Sequence, residues 1–351
     1  MNREKSFQIL RTAVSLLIAL LMAYLIIFCI SKTPLESIRI FTFGPFDSVR
    51  HIGNIIEAAL PLIFAGLATS IIFQASLFNL GAEGIYYISG AVVSMIAIFF
   101  SMPHLVHTTL IIAVGAVIGA LVMAVPGYLR AKFNTSELVT SLMLNNILLG
   151  LGLWLLTNVM RDPSTGNQIS YKFADTALLS RIIPGTRIHS GLLIAAVCVV
   201  LTYVFLYRSK WGYEIRMTGL NPDFARYSGI NTARVIVMAH IVAGLIAGVG
   251  GAVETIGIHR RFEWTMLPGY GMDGAMIAML GGNNPFGVVL ASLFVAYLRV
   301  GADMVARLSD VPTEMVAILQ ALIILLVSAE RFLHKYRQKW IEKGVKNGSA
   351  H

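Results

Sequence analysis

Charge is what this sequence has least of. Asp, Glu, Lys and Arg make up 13% of its 351 residues, whereas 56% are hydrophobic. A soluble domain carries about 25% charged residues, so this chain has roughly half the charge that a water-covered surface needs. A soluble multidomain enzyme and a disordered chain are both excluded. Cysteine is nearly missing: Cys29 and Cys198 are the two present. Both sit inside apolar runs, which argues against a disulfide scaffold and a thiolate metal site. The eight histidines form no HExxH-type pair. No Gly-x-x-x-x-Gly-Lys-Ser/Thr segment occurs, so no loop of that type can cradle ATP phosphates. The apolar segments do not alternate with polar residues, which argues against a membrane β-barrel.

What the chain does have is long apolar runs. Ten candidate spans lie at 12–30, 54–73, 86–101, 109–127, 137–158, 191–207, 233–256, 273–282, 286–306 and 312–333. A helix needs about 20 residues to cross the hydrocarbon, so ten crossings would use about 200, close to the apolar fraction. The third and eighth runs are short. The expected fold is an all-α polytopic membrane protein, one domain over 1–351, with about ten transmembrane helices, two of them broken or short. Arg3, Lys5 and Arg11 precede an apolar run from Ala13 to Ile30. That run is longer than a signal-peptide core and no A-x-A site follows, so it reads as a retained first helix.

The net charge of +9 could suggest nucleic acid, but in a membrane protein excess Lys and Arg mark cytoplasmic loops. With the N-terminus inside, the inner segments 1–11, 128–136, 208–234 and 331–351 hold 16 Lys and Arg in 68 residues. The outer segments 31–53, 159–190, 257–272 and 299–311 hold 11 in 84. This bias puts both termini in the cytoplasm and gives no role to nucleic acid.

One short pattern occurs twice. Gly81-Ala82-Glu83-Gly84 and Gly271-Met272-Asp273-Gly274 both read G-x-acid-G and both open a small-residue apolar helix. In the proposed orientation the first leads a span away from the inner side and the second away from the outer side. That is the pattern of an inverted-topology repeat, with halves about 54–158 and 233–333. Irregular backbone at membrane depth must line protein or a wet cavity. Glu83 and Asp273 fit two roles: first-turn acids that stabilise helix starts, or groups that meet solute on its path.

Polar residues inside spans are costly and mark functional candidates. Asn79 precedes the first break, and Asn145 and Asn146 sit mid-span after Thr140 and Ser141. They fit interhelical hydrogen bonding or a lining role on the solute path. Glu57 and Glu254 lie near span ends, where an interfacial position accounts for them. Gly244 and Gly248 form a G-x-x-x-G, which permits close helix packing without naming a partner.

The long inner loop, 208–232, contains Gly219-Leu-Asn-Pro-Asp-Phe-Ala-Arg-Tyr-Ser-Gly229. Asn221 is a suitable cap and Pro222 a first-turn proline. Asp223 to Ser228 then makes a short basic helix stopped at Gly229. This loop resembles the coupling segment of ABC importer permeases of the branched-chain amino acid, ribose and nucleoside superfamily. Leu77-Phe-Asn-Leu-Gly-Ala-Glu-Gly84 resembles the F-N-[IL]-G-x-E-G signature of the nucleoside and simple-sugar branch. Gly269-Tyr-Gly-Met-Asp-Gly274, Leu280-Gly-Gly-Asn-Asn-Pro-Phe-Gly287 and Glu137 to Asn146 match the same branch, in order, across about 50–330. Ile85 departs from it, standing where nucleoside-type members carry Gln.

The resemblance implies a permease subunit rather than an enzyme, binding no cofactor itself. ABC ATPase subunits would use the ATP and push on the loop through Gly219, Asn221, Pro222, Ala225, Arg226, Tyr227 and Gly229. A second permease subunit, identical or paralogous, and an extracytoplasmic solute-binding protein or lipoprotein complete the machine in a bacterial inner membrane, surrounded by lipid. Nucleosides or simple sugars are the expected solutes. Asn79, Gly81, Glu83, Gly84, Asn145, Asn146, Gly271, Asp273 and Gly274 are the candidate path residues. The alternatives are branched-chain amino acids as solute and an ion-coupled secondary transporter.

Overall fold

The computed structural model describes residues 20–312 together with Leu17 and Ile318. Among these residues the structure is helical, with two isolated bridges, Arg161 to Ser170 and Arg181 to His189, as its extended pairing. The helices are α1 (Leu20–Ile30), α2 (Pro34–Phe43), α3 (Val49–Gln74), α4 (Ala82–Phe99), α5 (His104–Phe133) and α6 (Glu137–Leu155). They continue with α7 (Gly191–Arg208), α8 (Lys210–Leu220), α9 (Pro222–Tyr227), α10 (Thr232–Ile258), α11 (Tyr270–Leu280) and α12 (Pro285–Leu308). A five-residue π-helical turn, Leu156–Met160, extends α6.

Seven of these are long and apolar enough to cross a membrane: α3, α4, α5, α6 with its extension, α7, α10 and α12. The expected count of about ten is therefore not met within the described residues. The eighth span of the sequence reading is α11, 11 residues long, or about 16 Å. That is half the roughly 30 Å of hydrocarbon, so α11 is a half-helix. The tenth span, 312–333, lies outside the described residues apart from Pro312 and Ile318, as do most of residues 12–19.

Local chemistry sets the helix ends. Asn134 closes α5 in the left-handed region at φ 51°, with Arg130 and Lys132 in the last turn, where cations favour the negative dipole end. Ser136 and Asn231 cap α6 and α10 by accepting the N–H of Val139 and Arg234.

The chain divides into two compact units. Among the described residues, the smaller holds those up to Ser48 with those from Tyr297 onward, and the larger is Val49–Ala296. In the smaller, Tyr24 and Thr42 share a 2.9 Å hydroxyl hydrogen bond, Tyr297 stacks on Phe46, and Asp310 accepts from the Ser31 hydroxyl at 2.6 Å.

In the larger unit α10 is the central post, packed on α3, α4 and α5. Its closest neighbour is α5, and the reason is glycine. A Cβ on Gly119 would stand 2.8 Å from the Gly248 Cα, and one on Gly115 would stand 2.7 Å from the Ala252 Cβ. The G-x-x-x-G of Gly244 and Gly248 thus finds its partner inside the chain, on an antiparallel α5.

Candidate functional site

Between α3 and α4 the chain leaves helical geometry for seven residues, Ala75 to Gly81. Ser76 takes φ 55°, a left-handed conformation unusual for a residue with a side chain. This irregular backbone is answered by one face of α6. Phe78 N–H donates to Glu137 Oε1 at 3.3 Å, Leu80 N–H to Ser141 Oγ at 3.2 Å, and Gly84 N–H to Asn145 Oδ1 at 3.0 Å. The Asn145 amide donates in return to the Leu80 carbonyl at 3.0 Å. Glu137, Ser141 and Asn145 are spaced i, i+4, i+8, so they form one stripe on the helix. Arg130 neutralises Glu137 at 3.2 Å. Asn79 folds back locally, its Oδ1 accepting the Gly81 N–H at 2.6 Å.

Glu83 does not cap its own helix. Its two carboxylate oxygens accept the N–H groups of Gly269 and Gly271, each at 2.5 Å. These are free donors at the start of α11, so Glu83 caps the other motif's helix. The two G-x-acid-G segments meet directly. Gly269, the residue before α11, has φ 90° and needs glycine. A Cβ on Gly84 would reach within 2.9 Å of the Asn145 Cα, and one on Gly274 within 2.7 Å of the Ala65 carbonyl. Both glycines are sites of close backbone approach. Asp273 is buried in the first turn of α11.

Other placements differ from the sequence reading. Asn146 is exposed, its amide donating to Leu142 O on its own helix. It points about 100° away from Asn145 and does not join the break. Glu57 and Glu254 are both buried within the protein. Glu57 pairs with Arg187 at 3.7 Å and Glu254 accepts the Tyr270 hydroxyl. Neither partner was legible, because each lies outside the periodic apolar runs. Gly115, which reads as a plain span position, sits in the α5–α10 seam.

The 208–232 loop folds as α8 and α9. The Asn221 Oδ1 accepts the Phe224 N–H at 3.0 Å, Pro222 opens α9, and Gly229 stops it at φ 82°. Ala225 is buried, while Phe224, Arg226 and Tyr227 are exposed, Tyr227 by 93%. The loop is tied to the break. The Ser76 hydroxyl donates to the Gly219 carbonyl at 2.7 Å, and a side chain at Gly219 would strike the Gln74 carbonyl. Gln74 in turn donates to the Asn283 carbonyl at 3.0 Å and to the Tyr207 hydroxyl at 3.2 Å. The sequence offered no sign of this second tie, since Gln74 stands at the end of an apolar run.

The approach to α11 is also pinned. Ser170 exchanges backbone N–H and hydroxyl bonds with Phe262, at 3.0 and 2.8 Å. Arg261 donates to Asp162 at 2.7 Å. Hydrogen bonds from Ser164, and then from Arg261, hold the Asp162 carboxyl down at about 2. Among the described residues no group of three or more His, Cys, Asp or Glu side chains could hold a metal ion.

Three characterised relatives cover most of the chain. A glucose ABC transporter permease protein of Haloferax volcanii is 32% identical over 92% of this chain and 88% of its own length. A guanosine ABC transporter permease protein of Bacillus subtilis is 30% identical over 86% of this chain and 88% of its own. A nucleoside ABC transporter permease protein of Lactococcus lactis subsp. cremoris is 29% identical over 93% and 92%. With the family match over residues 51–328, the chain belongs to the branched-chain amino acid transport system / permease component family.

Proposed function

We propose that this chain is the permease subunit of an ATP-driven importer of nucleosides or simple sugars in the cytoplasmic membrane. ATP hydrolysis belongs to a separate subunit. The relatives named for glucose, guanosine and nucleosides support this solute class over branched-chain amino acids, and their description as ABC transporter permeases supports ATP over an ion gradient. A second permease subunit and an extracytoplasmic binding protein complete the assembly. The basic-residue bias supports cytoplasmic termini and a cytoplasmic 208–232 loop.

The observation that carries the mechanism is the Ser76–Gly219 hydrogen bond, which joins the break to the last turn of α8, directly before the exposed α9. An ATPase that moves α9 would pull on Ser76 through the end of α8. The break would transmit that pull along its bonds to the α6 stripe, and Glu83 would pass it to the start of α11. In this reading α4 and α11 are the counterpart helices of an inverted repeat, with halves about 54–158 and 233–333. Asn79, Gly81, Glu83, Gly84, Asn145, Gly271, Asp273 and Gly274 form the moving junction. Asn146 belongs to a separate, outward-facing surface that a second permease subunit would cover.

The test is uptake of labelled guanosine, uridine, ribose, glucose and leucine by a deletion strain carrying the gene. Nucleoside or sugar uptake that collapses on ATP depletion is expected. Uptake of leucine alone would overturn the solute class. Uptake abolished by an ionophore at normal ATP would overturn the energy source.

A further inference from the structure

A groove of about 670 Å³ lies where α5 ends and α10 begins, closed on one side by α8. Its polar end holds Lys132, Arg234 and Trp211, with no acidic side chain among its lining residues. The guanidinium of Arg234 lies 4.6 Å from the Trp211 ring centre, and Lys132 donates to the Tyr128 hydroxyl at 2.9 Å. Both cations are exposed yet held in place by aromatic neighbours.

Arg234 ends an apolar stripe on α10, made of Met238, Ile241 and Leu245. The spacing of three and four residues puts them on one face, and Ile241 and Leu245 are exposed. Val237, Met238 and Ile241 form the apolar wall of the groove. Because the glycine seam brings α5 and α10 together antiparallel, Lys132 at the end of α5 and Arg234 at the start of α10 lie at the same end of it. From Arg234 to Leu245 is about 16 Å along the helix, close to one leaflet of a 30 Å hydrocarbon core.

We propose that this groove binds one anionic phospholipid, with its phosphate between Lys132 and Arg234 and an acyl chain along the α10 stripe of Met238, Ile241 and Leu245. Charge and shape select this occupant together. A soluble protein such as the ATPase meets the polar end but does not reach Ile241 and Leu245, well inside an apolar span. A zwitterionic lipid fits the stripe but leaves the two positive charges uncompensated. In the orientation set by the basic loops the site faces the cytoplasmic leaflet, where basic and aromatic residues anchor helices at the headgroups.

The test uses the full chain purified with its partner subunits in detergent. Phosphatidylglycerol and phosphatidylcholine of identical acyl chains are titrated, and retained lipid is counted by native mass spectrometry. One phosphatidylglycerol per chain should be retained, and raising the salt should release it from the unaltered protein. Lys132→Ala and Arg234→Ala should each weaken retention about fivefold, and together roughly 25-fold. The Lys132→Arg, Arg234→Lys pair, which keeps both charges, should retain it. Equal retention of the two lipids, indifference to salt, or unchanged retention in the single alanine variants would overturn the proposal. So would displacement by glycerol phosphate as effective as by intact lipid, which would make this a phosphate site. Loss of the co-purifying ATPase with lipid retention unchanged would assign the groove to protein docking instead.

Discussion

Replacing Glu83 by glutamine tests the junction at its narrowest point. Glu83 gives one oxygen to the Gly269 N–H and the other to the Gly271 N–H. Hydrogen bonds to a charged group contribute about 1.5–3 kcal/mol each. Glutamine keeps one acceptor and turns an amide NH₂ toward the second donor. One bond is lost and a buried N–H is left unanswered, so the anchor of α11 should weaken by about 2–4 kcal/mol. Alanine removes both acceptors, that of the buried Gly271 N–H included, and should cost more. Asn79→Ala loses one local bond, worth about 1 kcal/mol. The expected order of damage is therefore Glu83→Ala, then Glu83→Gln, then Asn79→Ala. Uptake at matched membrane levels gives the functional ranking. Hydrogen exchange of the peptide covering 265–275 gives the structural one, and should quicken in both Glu83 variants. Normal uptake and unaltered exchange in Glu83→Gln would refute the trans-capping argument. Asn79→Ala as the most damaging change, with exchange at α11 unaltered, would instead favour direct solute contact by the asparagine.

Gly84→Leu and Gly274→Leu should abolish uptake because each would drive a side chain into neighbouring backbone; Gly150→Leu, at a position with open space around it, is the control and should remain active. Gly115→Leu should fail like the first two, by separating α5 from α10. Arg226→Glu or Tyr227→Ala on the exposed face of α9 should leave membrane insertion intact and reduce ATPase co-purification or solute-stimulated hydrolysis; full coupling in both would remove α9 as the contact. In a Cys29→Ala, Cys198→Ala background, Gly166→Cys should react with an impermeant thiol reagent in intact cells and Tyr227→Cys should not, and the opposite pattern would invert the topology. Burial holds His189 down at about 4. Between pH 6.5 and 4 the unfolded chain therefore takes up a proton that the folded chain refuses, and stability should fall as pH drops through that window, by about 3 kcal/mol in all. His189→Asn, which keeps an acceptor but does not titrate, should flatten the slope of thermal stability against pH.

Composition and apolar run length were enough to establish a helical membrane protein, because the hydrocarbon accepts few other structures. The sequence also marked the two breaks and the capped α9, since glycine, proline and asparagine act through their own backbone and need no distant partner. It could not show that Glu83 serves the helix of the other motif, 186 residues away for Gly269. A first-turn acid reads the same whether it caps its own helix or another. It could not separate Asn145 from Asn146 either. Both are polar residues in one span, and the 100° turn between neighbours on a helix has meaning once the packing of α4 on α6 fixes which face is inside. The eighth apolar run already read as short, and the bend that ends α11 is local: Gly282 and Asn283 take φ 63° and 54°, and the Asn283 N–H donates to the Ala278 carbonyl at 2.8 Å. Identity along the chain decides what each segment prefers; the antiparallel α5–α10 seam and the α6 stripe decide which of those preferences meet, because hydrogen bonds and close glycine contacts act only over the few ångströms that folding brings about.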